Sequence, residues 1–251
     1  MTKNHEINDS DTVVMINNLY KSFGKNEVLK GVELNLSKGE NLVVIGRSGC
    51  GKSVLAKCIV GLVNADQGTI HLFGNDITGY KRKELNLLRS KIGFLFQSNA
   101  LYDSMNVRNN LLFTLQRREK SKSKKELDLQ VDEVLENVGL PESKYVMPAE
   151  LSGGMKKRIG LARALILKPE LMLYDEPTTG LDPITSREIS QLMIEMQHAY
   201  QISSVIISHD LQCTRITANH IIALIEGKCY ATGTYDELAR SQDPKVNSFF
   251  K

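Results

Sequence analysis

Cysteine is scarce in this 251-residue chain. The four residues Cys50, Cys58, Cys213 and Cys229 show no C-x-x-C spacing and no paired histidine cluster. That argues against a zinc site and reads as buried, reduced thiols. An excess of one charge is also missing. A formal net charge of +3 is too small for a nucleic-acid binder held by charge alone, so no nucleic-acid partner is expected. No apolar run approaches the length of a membrane span, and the polar start "MTKNHEINDSDT" lacks the apolar centre of a secretory signal. A membrane role is therefore expected to come through a partner. What is present, 41% hydrophobic and 24% charged residues, suffices for one large or two small domains with a sizeable core.

Strand patterns dominate the first quarter. "VVMINNL" (13–19), the alternating "VELNL" (32–36), the continuously apolar "NLVVIG" (41–46) and the glycine-bracketed "GTIHLFG" (68–74) all read as strands. The run at 41–46 has the character of a strand buried on both faces, and a helix is expected from near Lys52. "IGFLFQ" (92–97) is a further strand, after which helical patterns take over. Leu127, Val131, Val134, Leu135 and Val138 form one stripe, stopped by Gly139 and Pro141. Alternation then returns: "ELMLYDE" and "SSVIISH" as strands, a helix from Pro183 burying Ile189, Leu192, Met193 and Met196, then "HIIALIEGKCYATG" and a short closing helix, "YDELARS". Strands alternating with helices predict an α/β fold with a largely parallel sheet. The basic segment around 117–125 reads as a solvated loop leading into a helix.

One stretch carries explicit chemistry. "GRSGCGKSV" follows a buried strand and opens a helix. Gly46, Gly51, Lys52 and Ser53 fill the G-x-x-x-x-G-K-[ST] spacing, and Gly49 is an extra glycine. Glycines let the backbone wrap an anion with its N–H groups turned inward, and the helix N-terminus adds partial positive charge. Lys52 is expected on the β- and γ-phosphates of a nucleotide and Ser53 on Mg²⁺. Gly46, Arg47, Ser48, Gly49, Cys50, Gly51, Lys52, Ser53 and Val54 together form the expected ATP-binding loop. At the end of "LMLYDE", Asp175 is expected to hold Mg²⁺ through water and Glu176 to polarise an attacking water as general base. A second anion site is expected at "LSGGM", where Ser152, Gly153 and Gly154 stand at a helix N-terminus. One nucleotide does not need two such sites on one chain, whereas two copies facing each other do.

In this order of motifs, from about Val13 to Lys251, the sequence resembles the ABC-type ATPases. The resemblance implies a P-loop NTPase fold in a single domain. Residues 13–97 and 165–251 would form a nucleotide-binding core with a mostly parallel sheet and an N-terminal antiparallel β subdomain. Residues 98–164 would be a helical subdomain insertion, and 1–12 a flexible N-terminus. It further implies that Gln97 of "FLFQ" touches Mg²⁺ or the lytic water, and that His209 of "IISHD" bonds the γ-phosphate. Asp182 of "GLDP" would cross a homodimer interface. Phe23, with Tyr20 as second choice, would stack on adenine. ATP and Mg²⁺ are the implied cofactors.

The signature ends in Met155, where glutamine is usual, and Lys156, Lys157 and Arg158 follow it. With "GKSVLAKCIVGL", "FLFQSNALYDSMNVRNNL" and "DPKVNSFF", this resembles the MCE-associated, Mla-type lipid-transport ATPases. That branch implies a homodimer beneath an integral permease at the cytoplasmic face of a bacterial inner membrane, linked to an MCE-type lipid-binding protein and driving phospholipid movement between membranes. Residues 97–115 would dock the permease. The alternatives are the ATPase of another importer, or a non-transport ABC ATPase of the cell-division or iron–sulfur assembly type. A repair protein would need a long coiled-coil insertion, and a ribosome-acting one a second P-loop.

Overall fold

The computed structural model describes residues 11–119 and 121–251. The strands form two sheets, and one helical insertion interrupts the second between its strands β6 and β7. The first is antiparallel, in the order β2-β1-β4-β5, from β1 (Thr12–Phe23), β2 (Asn26–Ser37), β4 (Gln67–Leu72) and β5 (Asn75–Asp76). The second has the order β10-β9-β3-β8-β7-β6. It is built from β3 (Asn41–Ile45), β6 (Ile92–Leu95), β7 (Leu171–Asp175), β8 (Ser203–Ile207), β9 (His220–Ile225) and β10 (Lys228–Gly233). All of its pairings are parallel except the β9–β10 hairpin. This is the α/β architecture expected from the sequence. Every residue of β3 is buried, as a strand covered on both faces requires.

The helices are α1 (Lys52–Ile59), α2 (Arg82–Arg89), α3 (Val107–Arg118), α4 (Lys124–Asn137), α5 (Gly153–Leu165), α6 (Pro183–Tyr200), α7 (Leu211–Thr217), α8 (Tyr235–Ala239) and α9 (Pro244–Asn247). Between β6 and β7 only helices and short 3-10 turns occur among the described residues. The stripe Leu127, Val131, Val134, Leu135 and Val138 packs with Leu111, Leu115 and Ile159 into the larger of two cores. Burying aliphatic side chains of this size contributes roughly 1.5–3 kcal/mol each. The second core lies between the antiparallel sheet, α1 and the opposite face of the large sheet.

Three expectations need correction. The first ten residues of the 1–12 segment lie outside the described residues, but Thr12 already pairs with Ser37 in β1. The basic segment is not simply a loop: Arg117 and Arg118 close α3, and Lys124 and Lys125 open α4. Positive side chains in the last turn of α3 complement its dipole, and Ser123 with Glu126 forms a capping box on α4. Finally, α2, α7 and α9 are helices where the sequence pattern marked none.

Candidate functional site

The parallel register decides which residues meet. Asp175 at the end of β7 pairs with Ile207 at the end of β8, and β3 runs beside β8. The segments after all three strands therefore leave at the same carboxyl edge, where ligands bind in open α/β sheets. After β3 comes the glycine loop. A Cβ on Gly46 would stand 2.6 Å from the Leu224 carbonyl oxygen and 2.6 Å from Cys50 Sγ, so only glycine fits there. Gly51 has φ +108 and would press a side chain onto Val28 and Leu29. Lys52 starts α1 and is buried; its Nζ donates to the carbonyls of Gly46 (2.7 Å) and Arg47 (3.2 Å) across the loop it closes.

Around this loop a cavity of about 650 Å³ is lined by the backbone cradle, Ser53, Val54, Gln97, Glu176, Thr179, His209 and, at its rim, Phe23. The structure thus brings together most of the residues singled out in the sequence. Ser53 Oγ donates to Asp175 Oδ1 at 3.1 Å. Burial pushes the Asp175 carboxyl above its ordinary range, opposed by the Ser53 hydrogen bond, while Glu176 adds to the upward push. Glu176 has φ +53, a strained conformation for a side chain this long. It is held by its N–H to Ile207 O (2.9 Å), by Thr179 Oγ1 on Oε2 (3.3 Å) and by His209 Nδ1 at 2.7 Å from Oε2. Thr178 Oγ1 donates to Asp210 Oδ2 at 2.8 Å, and Asp210 caps α7, so the turns bearing Glu176 and His209 are pinned together.

The donor set fits Mg²⁺ with a nucleotide. Among the described residues no three His, Cys, Asp or Glu side chains cluster as a self-sufficient metal site. One hydroxyl and one carboxylate at hydrogen-bond distance are the hard oxygen donors that Mg²⁺ takes together with phosphate oxygens and water. Such a site would use Ser53 and Asp175, with the exposed Gln97 side chain within the same cavity.

Phe23 is 51% exposed and lies within 5.3 Å of Lys21 Nζ; Tyr20 packs its hydroxyl near Gly31 and does not line the cavity. Of the two aromatics, Phe23 is the one that lines the cavity. Cys50 departs from its loop neighbours. Its thiol turns to Gly46, it lines with Leu224 an adjacent cavity of about 430 Å³, and burial raises its pKa.

Ser152, Gly153 and Gly154 lie elsewhere. With Asp182, Thr185 and Glu188 they line a separate cavity of about 350 Å³ that shares no residue with the first. Ser152 caps α5, its hydroxyl accepting from Met155 N. Asp182 caps α6 and accepts from Thr185 Oγ1 and from the N–H groups of Thr185 and Ile184, which hold its carboxyl below the usual range.

Beside Val28 and Thr179 in the cavity wall, Phe249 and Lys157 belong to the site but were not read from the sequence as part of it. Phe249 lines both the main and the adjacent cavity. Lys157 is 3% exposed, and its Nζ donates to Gln97 O at 2.8 Å. The signal for Lys157 was its place on the apolar stripe of α5, four and eight residues before the buried Leu161 and Leu165.

A glycine cradle at a helix N-terminus, a hydroxyl–carboxylate pair for Mg²⁺ and a carboxylate poised beyond them define a P-loop nucleotide site. Known proteins agree. The family model "ABC transporter" matches residues 29–179, and the chain belongs to that family. A probable ribonucleotide transport ATP-binding protein mkl of Mycobacterium tuberculosis is 37% identical over 94% of this chain; the chain spans 66% of that relative's length. The chloroplastic protein trigalactosyldiacylglycerol 3 of Arabidopsis thaliana is 38% identical over 96% of this chain and 74% of its own length. The methionine import ATP-binding protein MetN of Campylobacter jejuni is 35% identical, covering 94% and 75%. Among solved structures, cbiO1 from Clostridium perfringens, part of an ABC transporter complex, superposes with TM-score 0.84 at 29% identity over 90% of each chain. A dimeric ATP-binding cassette in a post-hydrolysis state with ADP and Pi gives 0.81 at 29% identity, over 89% of this chain and 99% of its own.

Proposed function

We propose that this chain is the ATP-hydrolysing subunit of a membrane transport complex, working as a homodimer with two ATP molecules between its copies. One observation carries the dimer: the cavity of Ser152, Gly153 and Gly154 is apart from the P-loop cavity of the same chain. A second helix N-terminus built for an anion finds its phosphate on another copy. The similarity to a dimeric cassette with ADP and Pi supports that arrangement.

In the reaction, the loop N–H groups and Lys52 bind the phosphates, and Phe23 stacks on the base. Ser53, Gln97 and, through water, Asp175 would hold Mg²⁺, which would neutralise charge on the phosphate oxygens. Glu176 orients and deprotonates the lytic water, and His209 bonds the γ-phosphate as charge builds there. Asp182 crosses to the other copy.

The transported substrate we assign to phospholipid, moved between membranes with an integral permease and an MCE-type protein, at the cytoplasmic face of a bacterial inner membrane. Support comes from Met155 and the basic triplet after the signature, and from the relative named for a glycerolipid. Among the described residues no helix is long and apolar enough to cross a membrane, so docking falls to a surface such as 97–115. The methionine-import relatives favour a second reading, a solute importer with a substrate-binding protein. Purification of Glu176→Gln protein from detergent-solubilised native membranes, with mass spectrometry of proteins and lipids, separates them. A permease with an MCE protein and bound phospholipid is expected. A solute-binding protein instead moves the function to that second reading, a division protein moves it to a non-transport ABC ATPase, and no membrane partner would overturn the transport role.

A further inference from the structure

Helix α5 carries Ser152 at its N-terminus, but three residues further along it hold the main cavity's own wall. Lys157 Nζ donates to Gln97 O at 2.8 Å and reaches Glu176 O at 3.5 Å, the outer edge of a hydrogen bond. Gly160 lets the segment after Gln97 lie against the helix: a Cβ there would be 2.9 Å from Leu95 Cδ1 and 3.2 Å from Asn99 Cβ. Arg163 donates to Ala100 O. The gripped segment is strained, with Asn99 at φ 62 and Ala100 at φ 50, neither a glycine.

Lys157 itself is unusual. A buried ammonium without a carboxylate in contact is expensive, and an apolar residue on this stripe would pack at lower cost. Among the described residues Lys157 makes no salt bridge; two main-chain oxygens solvate its charge, and the nearby Asp175 and Glu176 carboxylates favour it against burial. Those two oxygens belong to the two residues that must be fixed around one water molecule if ATP is hydrolysed here. Three-residue spacing puts Lys157, Gly160 and Arg163 along one face of α5.

We propose that Lys157 is a positioning residue, which fixes Gln97 and Glu176 relative to each other and ties the helix that begins at Ser152 to the hydrolytic geometry of its own chain. The assignment rests on the proposed ATPase reading, and it gives Lys157 no contact with nucleotide. Removing it therefore moves turnover and leaves binding.

The test compares wild type, Lys157→Met and Lys157→Arg. In Lys157→Met, kcat should fall by about 10²-fold, as misplacing reacting groups does. ATP affinity measured in EDTA should stay within about threefold, because ground-state binding is untouched. In nucleotide-free protein, peptides covering 95–101 and 175–180 should exchange amide hydrogens faster, with the rest of the chain unchanged. Lys157→Arg, which restores donors, should recover part of both effects. Turnover within about twofold of wild type, or unaltered exchange in both peptides, would overturn the proposal. So would parallel loss of ATP affinity and kcat. If Lys157→Met does not yield folded protein, Lys157→Gln decides on the same readouts. A wild-type protein without ATPase activity would count against the proposed function, and the exchange data on nucleotide-free protein would still decide the role of Lys157.

Discussion

His209 Nδ1 lies 2.7 Å from Glu176 Oε2, although 33 residues separate the two in the chain. The contact follows from sheet register. Asp175 and Ile207 are paired neighbours at the ends of adjacent parallel strands, so the residues just beyond them emerge side by side. Glu176 enters with a left-handed backbone that swings its carboxylate over the cavity, where the exposed imidazole meets it. The Thr178–Asp210 hydrogen bond locks the two turns at that distance.

Because the two side chains share one position above the P-loop, their loss should be coupled. Glu176→Gln should lower kcat by about 10²–10⁴-fold, the usual contribution of a general base, with ATP still bound. His209→Ala should cost about 10²–10³-fold, and the double variant little more than the worse single one. Steady-state turnover together with equilibrium ATP binding checks this. Independent, multiplicative losses would show that the contact has no part in the chemistry.

The Ser53–Asp175 pair makes a prediction of opposite signs for binding and stability. Asp175→Asn should lose about 10–100-fold of the affinity that Mg²⁺ adds to ATP binding, measured by titration with and without the metal. The same substitution should raise the melting temperature of nucleotide-free protein at pH 7. Burial raises the Asp175 pKa in the folded state, so the folded form favours the protonated carboxyl. That preference is fully present below the unfolded pKa and is lost as pH rises through the folded one, leaving an unfavourable buried charge at neutral pH. The stability gain of the asparagine should therefore shrink as pH falls toward 4. Identical melting curves at pH 7 would contradict the burial argument.

Patterns with strong periodicity were readable from the sequence, and weak amphipathic ones were not. The apolar run at 41–45 and the stripe from Leu127 to Val138 each bury the residues their spacing marks. Helix α2 buries only Leu85 among Arg, Lys, Glu and Asn, so its polar face hid it. Its ends are fixed instead by Glu84 Oε2 accepting from Lys81 N and by Arg89 reaching the carbonyls of Val60 and Gly61. Motif spacing marked Gly46 to Gly49, Gly51 to Val54, Gln97, Glu176 and His209, which all line one cavity. The direction of Cys50 and the burial of Lys157 depend on close packing between distant segments, which no local pattern encodes.

Cys50 is the loop residue for which side-chain direction changes the expectation. A thiol exposed among phosphate-binding N–H groups would be reactive, whereas this one packs on Gly46 with its pKa raised by burial, opposed by the Lys52 charge. Alkylation by iodoacetamide should be slow at pH 7. It should quicken about tenfold per pH unit and still be rising at pH 9, since only the thiolate reacts. Once the adduct forms it should displace the Gly46 turn and weaken ATP binding. Mass spectrometry of Cys50 against pH, with ATP affinity measured on the fully modified protein, checks both halves. Fast modification at pH 7, or unchanged affinity after it, would reverse this account.

The separation of the two cavities makes the dimer itself testable. Glu176→Gln protein with Mg²⁺ and ATP should run as a dimer by size-exclusion with light scattering, and as a monomer without nucleotide. Adding Ser152→Arg to the same protein should abolish the dimer by filling the space before the α5 N-terminus, where Ser152 and Gly153 are exposed and Gly154 sits against Thr185. ATP binding to the monomer should persist, because the P-loop cavity shares no residue with that of Ser152. Loss of the Ser152 cap would lower stability by only about 1 kcal/mol, so the variant should remain folded. An ATP-dependent dimer that survives Ser152→Arg would show that the copies meet through another surface.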